Sequence, residues 1–124
     1  CCIDTSGSIS KEVLTKFISE IKAILSSYPL IKCRLFYSDS ECYGPYEIDF
    51  NGELPLPEGG GGTDFSPFFK AIKYQDIFHL PLCIYLTDGY GIYPEDTNVE
   101  TLWVITPGGI DSEKVPFGYV CRLI

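Results

Sequence analysis

A chain of 124 residues, 45% of them hydrophobic, has room for one domain that buries roughly two-thirds of its unfolded surface in a single core. Its formal charge of −8 and isoelectric point near 4.4 count against nucleic acid or an anionic membrane as partner, because phosphate-rich surfaces are held by clustered Lys and Arg. No apolar run approaches the ~20 residues that cross a bilayer, and no basic segment with a cleavage site opens the chain, so it reads as soluble.

The sequence contains no Met and runs from apolar Cys1-Cys2-Ile3 straight into a polar motif. It therefore reads as a single domain, residues 1–124, cut from a longer protein. Six cysteines show no Cys-x-x-Cys spacing, and Cys1, Cys2, Cys33, Cys83 and Cys121 lie within apolar stretches. Free core thiols are the expectation, which favours a reducing, cytoplasmic setting.

In chain order, residues 1–4 read as the end of a buried strand. A helix is expected from Ser10 to Tyr28, with Leu14, Phe17, Ile18, Ile21 and Leu25 on one face and Ser10 as N-cap. Residues 31–38 read as a second strand, in which Cys33, Leu35 and Tyr37 alternate with Lys32, Arg34 and Phe36. A third strand should set Cys42, Tyr46, Ile48 and Phe50 on one side and Tyr43, Glu47 and Asp49 on the other; Pro45 cannot donate to a ladder and points to a sheet edge.

Pro55, Pro57 and Gly59-Gly60-Gly61-Gly62 then form a loop that turns tightly before Thr63. Ser66 as N-cap and Pro67 at the first helical position open a short second helix. Residues 82–87 are apolar almost throughout, as in a parallel strand covered on both faces, and end at Asp88-Gly89. Strands are also expected over 101–106 and 117–123. Strands alternating with helices predict a three-layer α/β fold: a mostly parallel central sheet, helices on both faces, and one antiparallel edge strand. Ligands in such sheets bind beyond the carboxyl ends of the strands, so Asp4, Thr63 and Asp88 should meet on one rim.

Asp4-Thr5-Ser6-Gly7-Ser8 sets a carboxylate and two hydroxyls at alternate positions where a strand runs into a loop, so the three oxygen groups can converge. A hard cation such as Mg²⁺ takes oxygen ligands near octahedral geometry, often with one or two carboxylates and retained water. Standing alone, the string also suits a polar turn with Ser capping a helix. Its place between an apolar strand and an amphipathic helix, with Thr63 and Asp88 on the same expected rim, favours the metal reading.

Three segments, Asp4-Thr5-Ser6-Gly7-Ser8, Gly61-Gly62-Thr63-Asp64-Phe65 and Leu86-Thr87-Asp88-Gly89, together resemble the metal-ion-dependent adhesion site of von Willebrand factor A (VWA) domains, in the family's order. More narrowly, residues 59–65, 85–90, 102–107 and 116–118 resemble the bacterial VWA-like domain that follows a metallopeptidase-like segment. The resemblance implies a VWA/Rossmann-like fold in which Ser6, Ser8 and Thr63 touch Mg²⁺ (or Mn²⁺ or Ca²⁺) through their hydroxyls and Asp4 and Asp88 act directly or through water. It further implies an open coordination position for an Asp or Glu from a protein partner, and an intracellular role beside AAA-type ATPases of the MoxR class.

Other chemistries find less support. The glycine run lacks the Lys-Ser or Lys-Thr ending of a phosphate-binding loop. Asp64 reads as a loop or capping residue. His79, the single histidine, cannot form a zinc pair within this chain, and an aspartyl phosphatase would want a carboxylate where Ser6 stands. The expectation is a non-catalytic binding module; the alternatives are a regulatory or substrate-recognition domain of a metallopeptidase and, more weakly, a metal-dependent phosphatase. Phe65, Tyr90 and Tyr93 either rim the site or pack their own loops, Trp103 reads as core, and Glu95, Asp96 and Glu100 as solvated surface.

Overall fold

The computed structural model describes residues 1–28, 30, 33–48, 54–73, 82–95, 97 and 99–123. Among the described residues, six strands form one sheet: β1 (Cys2–Asp4), β2 (Cys33–Ser38), β3 (Cys42–Ile48), β4 (Cys83–Thr87), β5 (Thr101–Ile105) and β6 (Tyr119–Arg122). Helices α1 (Lys11–Ser27) and α2 (Ser66–Lys73) accompany them, with one 3-10 turn, Ser112–Lys114. The strand order is β3-β2-β1-β4-β5-β6. All neighbours are parallel except β3, which pairs antiparallel with β2 at the edge, as Pro45 foretold.

Period-2 alternation along the central strands sorts their side chains between two cores. Ile3, Leu35, Tyr37, Leu86 and Val104 pack with Phe17, Ile21 and Leu25 of α1. Cys2, Phe36, Tyr85, Trp103 and Ile105 pack with Phe68, Phe69 and Ile72 of α2. Adjacent residues in each strand thus face opposite helices, which is the three-layer arrangement. Each fully buried large side chain contributes about 1.5–3 kcal/mol, and the α2 side is an aromatic cluster in which Trp103 meets Phe65, Phe69, Tyr85, Tyr93 and Phe117 at centroid separations of 5.0–5.9 Å.

Helix α1 starts where the sequence says it should: the Ser10 side chain accepts a hydrogen bond from the Val13 amide at 3.2 Å. Helix α2 differs in detail. Ser66 is already its first residue, and the side chain taking a free amide at this end is Asp64, whose Oδ1 accepts from Ser66 N at 2.9 Å. Phe36, assigned by alternation to the same side as Arg34, is buried under α2 while Arg34 is exposed.

Strand β3 departs further from simple alternation. Its pairing with β2 shifts register between Leu35 and Tyr37, and the extra residue sends Tyr43 and Tyr46 to the α1 side together while Cys42 packs toward α2. Such an irregularity flips the facing of everything beyond it. Residues 31, 32, 49 and 50, assigned to these two strands from the sequence, lie outside the described residues, as do His79 and Asp96.

All six cysteines are free. Cys2, Cys33 and Cys83 are buried, Cys1 and Cys42 half-buried, and Cys121 is exposed on the short edge strand β6, contrary to the core position expected for it. Burial pushes the Cys2, Cys33 and Cys83 thiols up, and that of Cys42 to about 11, so these four are protonated and unreactive at neutral pH. Among the described residues, no helix is long and apolar enough to cross a membrane.

Candidate metal centre

The chain leaves β1 for β2 on one side of the sheet and later returns to place β4 on the other side of β1. Between β1 and β4 the strand order reverses, and crevices at such switch points bind ligands. Parallel register aligns Cys2 with Tyr85 and Ile3 with Leu86, so Asp4 and Thr87 end the two strands side by side.

Asp4 is completely buried, and both of its oxygens are used. Its Oδ1 accepts from the Ser6 amide at 2.8 Å and the Ser6 hydroxyl at 2.5 Å; its Oδ2 accepts from the Thr87 hydroxyl at 2.5 Å. Thr87 Oγ1 in turn accepts from the Gly89 amide at 3.0 Å. The Ser6 and Ser8 hydroxyl oxygens lie 3.3 Å apart, and the Ser8 hydroxyl donates to Asp88 Oδ2 at 3.0 Å. The other Asp88 oxygen accepts from the Tyr90 amide at 3.1 Å. Four of the five residues singled out in the sequence therefore form one unbroken chain, Asp4–Ser6–Ser8–Asp88, running from a buried floor to the exposed Ser8.

Thr63 reaches this rim through its backbone. Gly60 donates to the Thr5 carbonyl at 2.7 Å, Gly7 donates to the Gly61 carbonyl at 2.9 Å, and Ile92 donates to the Thr63 carbonyl at 3.3 Å. The Thr5 hydroxyl adds a bond to the Glu58 carbonyl at 2.6 Å. No hydrogen bond joins the half-buried Thr63 side chain to the other four among the described residues.

Glycine is required for space at Gly59 and is tightly packed at Gly7. At Gly59, with φ +148°, a Cβ would lie 2.2 Å from Thr5 Oγ1, and at Gly7 it would lie 3.0 Å from the Gly60 carbonyl oxygen. Three further residues shape the site without having been singled out: Thr87, Thr5 and Asp39. Thr87 and Asp39 sit at the carboxyl ends of β4 and β2, on the rim already expected to bind, and that position was the signal available for them.

Burial raises the Asp4 carboxyl above its ordinary value, with the Asp88 charge adding to the rise; hydrogen bonds from Ser6 and Thr87 act against it. Its position at the crevice floor therefore disfavours an uncompensated charge, which a cation would offset.

Among the described residues no three His, Cys, Asp or Glu side chains come together; half or more of any donor set here is hydroxyl. Neighbouring ligand oxygens around Mg²⁺, bonded at 2.0–2.1 Å and at right angles, lie about 2.8–3.0 Å apart. The Ser8–Asp88 separation of 3.0 Å matches that edge, and the Ser6–Ser8 separation of 3.3 Å is within a small adjustment of it. These separations are also ordinary hydrogen-bond lengths, so the fit to a hard divalent cation rests on the chemistry of the donor set, hydroxyl and carboxylate oxygens converging on one crevice.

A family model described as VWA-like domain (DUF2201) matches residues 1–124, the whole of the sequence. The chain belongs to the VWA-like domain family DUF2201. No curated protein and no solved structure matches it.

Around the crevice of this VWA-like domain, Tyr90 and Ile92 stand exposed at 56% and 63%. Phe65 and Tyr93 do not join them. Phe65 is fully buried against Tyr85 and Trp103, and Tyr93 packs on both Phe65 and Trp103 while its hydroxyl donates to the Gly89 carbonyl at 2.7 Å.

Proposed function

We propose that this VWA-like domain is a protein-binding module that works through a divalent cation, Mg²⁺ in the first instance, held by Asp4, Ser6, Ser8, Thr63 and Asp88. The observation that carries the reading is the continuous oxygen chain from Asp4 through Ser6 and Ser8 to Asp88 at the β1/β4 crevice. Ser6, Ser8 and Thr63 would supply hydroxyl oxygens, with Asp4 and Asp88 bonded directly or through water. The cation would supply a strong local positive charge. Three of the five donors are neutral, and with a carboxylate held at one remove through water the ion would keep net local positive charge, so that a coordination position held by water would be open to an Asp or Glu carboxylate from a partner.

Tyr90 and Ile92 offer apolar contact beside that position, the composition expected at the core of a recognition surface. The proposed role is recognition: the carboxylates beside the Ser6 and Ser8 hydroxyls, Asp4 and Asp88, also accept from main-chain amides and would be engaged by the cation, which argues against their serving as bases for a nucleophile. A role beside an AAA-type ATPase, as the resemblance to the bacterial VWA-like domain implies, is consistent with such a module.

Calorimetric titration with Mg²⁺ tests the centre directly. Wild type should bind one ion and Asp4→Ala none, because that change removes the carboxylate that orients Ser6. Equal binding by both proteins would take Asp4 out of the site.

A further inference from the structure

We propose that Asp39 is the positioning residue of this centre, fixing Thr63 by clamping the chain on both sides of it. The inference rests on the reading of the crevice as a cation site. Asp39 follows β2, whose last residue Ser38 pairs with Asp4, so it leaves the sheet beside the motif strand. It is 5% exposed. Its Oδ2 accepts from the Gly61 amide at 3.0 Å, and its main-chain carbonyl accepts from the Asp64 amide at 3.1 Å. Those two amides bracket Gly62 and Thr63.

The clamp is itself held. Asp39 Oδ1 accepts from the Glu41 amide at 2.8 Å and the Asp39 amide donates to the Glu41 carbonyl at 2.9 Å, which fixes the carboxylate plane. A turn ending β2 would need only the bonds to Glu41; the bonds to Gly61 and Asp64 cross to a different segment of the chain. A side chain at Gly61 would crowd this carboxylate, since its Cβ would lie 3.0 Å from Asp39 Oδ2. The same glycine accepts at its carbonyl from Gly7 of the Asp4–Ser8 string. One residue, Gly61, thus joins the Asp39 carboxylate to the Asp4–Ser8 string. An ionised acceptor makes the stronger class of hydrogen bond, and supports of this kind set metal affinity through the ligand they orient.

The experiment is a double-mutant cycle read by Mg²⁺ titration, together with amide hydrogen exchange in EDTA. Asp39→Ala should weaken Mg²⁺ binding by about 10–100-fold, with Asp39→Asn, which keeps one acceptor, losing less. In a Thr63→Ala background the Asp39→Ala change should cost little more, because residues acting through one another are non-additive. The Gly61 amide, which the carboxylate holds, should exchange faster in Asp39→Ala and less so in Asp39→Asn, while the Asp64 amide, held by the main-chain carbonyl of residue 39, changes less and β4 stays protected. Undiminished Mg²⁺ affinity in Asp39→Ala, or an equal loss with and without Thr63, overturns the positioning role. Unchanged exchange at Gly61 in Asp39→Ala overturns the clamp itself, whether or not metal binds. A wild type that binds no Mg²⁺ overturns the metal reading, and the positioning role with it, leaving the exchange result to decide the clamp separately.

Discussion

Asp4 carries two opposed demands. As a candidate ligand it should be ionised, yet it is buried and faces Asp88, and its carboxyl is raised above the usual carboxylate range by burial first and by that charge after it. A carboxyl raised in the folded state binds its proton more tightly there than when unfolded. The stabilisation it brings is complete below the unfolded value of about 3.9 and is lost as pH rises through the higher folded value. At neutral pH, without a cation, ionised Asp4 therefore subtracts from stability. Asp4→Asn keeps an oxygen toward Ser6 and removes the charge. In EDTA its urea midpoint at neutral pH should equal or exceed that of wild type, and the difference should close as pH falls toward about 4. Saturating Mg²⁺ should stabilise wild type alone, by about 2.7 kcal/mol at a hundred times the dissociation constant. A variant less stable than wild type at every pH would mean that hydrogen bonding at Asp4 outweighs its desolvation.

The candidate residues differ in how visible they are without the fold. Asp4, Ser6, Ser8 and Asp88 lie in two short strings whose chemistry is local, and the sequence places them together. Asp39 and Thr87 act across the sheet, through partners 22 and 83 residues away, and nothing in their immediate neighbours announces it. Thr87 reads as one more β-branched strand residue until its register beside Asp4 is known. Phe65 follows the same logic: the sequence leaves it either rimming the site or packing its own loop, and in the fold its amide donates to the Ile92 carbonyl and its ring is fully buried.

At the level of elements, a Ser-Pro start marks α2 and an unbroken apolar run marks β4, while hydrophobic periodicity locates α1 and β2. It fails on β3, where the register shift opposite Leu35 and Tyr37 inserts a residue that no alternation rule anticipates. It is silent on the loop over residues 54–64, which owes its shape to bonds from elsewhere. Tyr37 donates to the Pro55 carbonyl at 2.6 Å, and the Thr5 hydroxyl donates to Glu58. That loop makes a paired prediction. Gly59 and Gly60 both have positive φ, so Ala is strained at either, but a Cβ at Gly59 would collide with Thr5 whereas one at Gly60 meets nothing within 4 Å. Gly60→Ala should lose about 1 kcal/mol from backbone strain alone. Gly59→Ala should lose about 1–3 kcal/mol more, as overpacking does, and should weaken Mg²⁺ binding by displacing the loop from Thr5. Comparable urea midpoints for the two variants would show that the loop yields freely and that its contact with Thr5 is unimportant.

For the whole molecule, the strand order β3-β2-β1-β4-β5-β6 brings Asp4 and Asp88 to one crevice, while the chain as a whole carries a formal charge of −8. On the proposed reading, a partner carboxylate approaching that crevice would meet net repulsion everywhere except at the cation. Attraction across exposed charges fades beyond a Debye length of about 8–10 Å in ordinary salt, whereas a direct metal–carboxylate bond is screened far less. The two contributions can therefore be separated. Binding of an acidic partner should collapse when the cation is chelated and should change only modestly as salt rises, and added salt should if anything ease the long-range repulsion. Thr63→Ala should weaken binding, and changing the partner's own Asp or Glu to Asn or Gln should abolish it. Tyr90→Ala should give a smaller loss that persists at all salt concentrations, because its exposed ring contributes apolar contact. Capture from lysate with Mg²⁺ or EDTA, followed by calorimetry on the purified pair, supplies these measurements. Equal capture in EDTA and by Thr63→Ala would put the interface elsewhere on the domain.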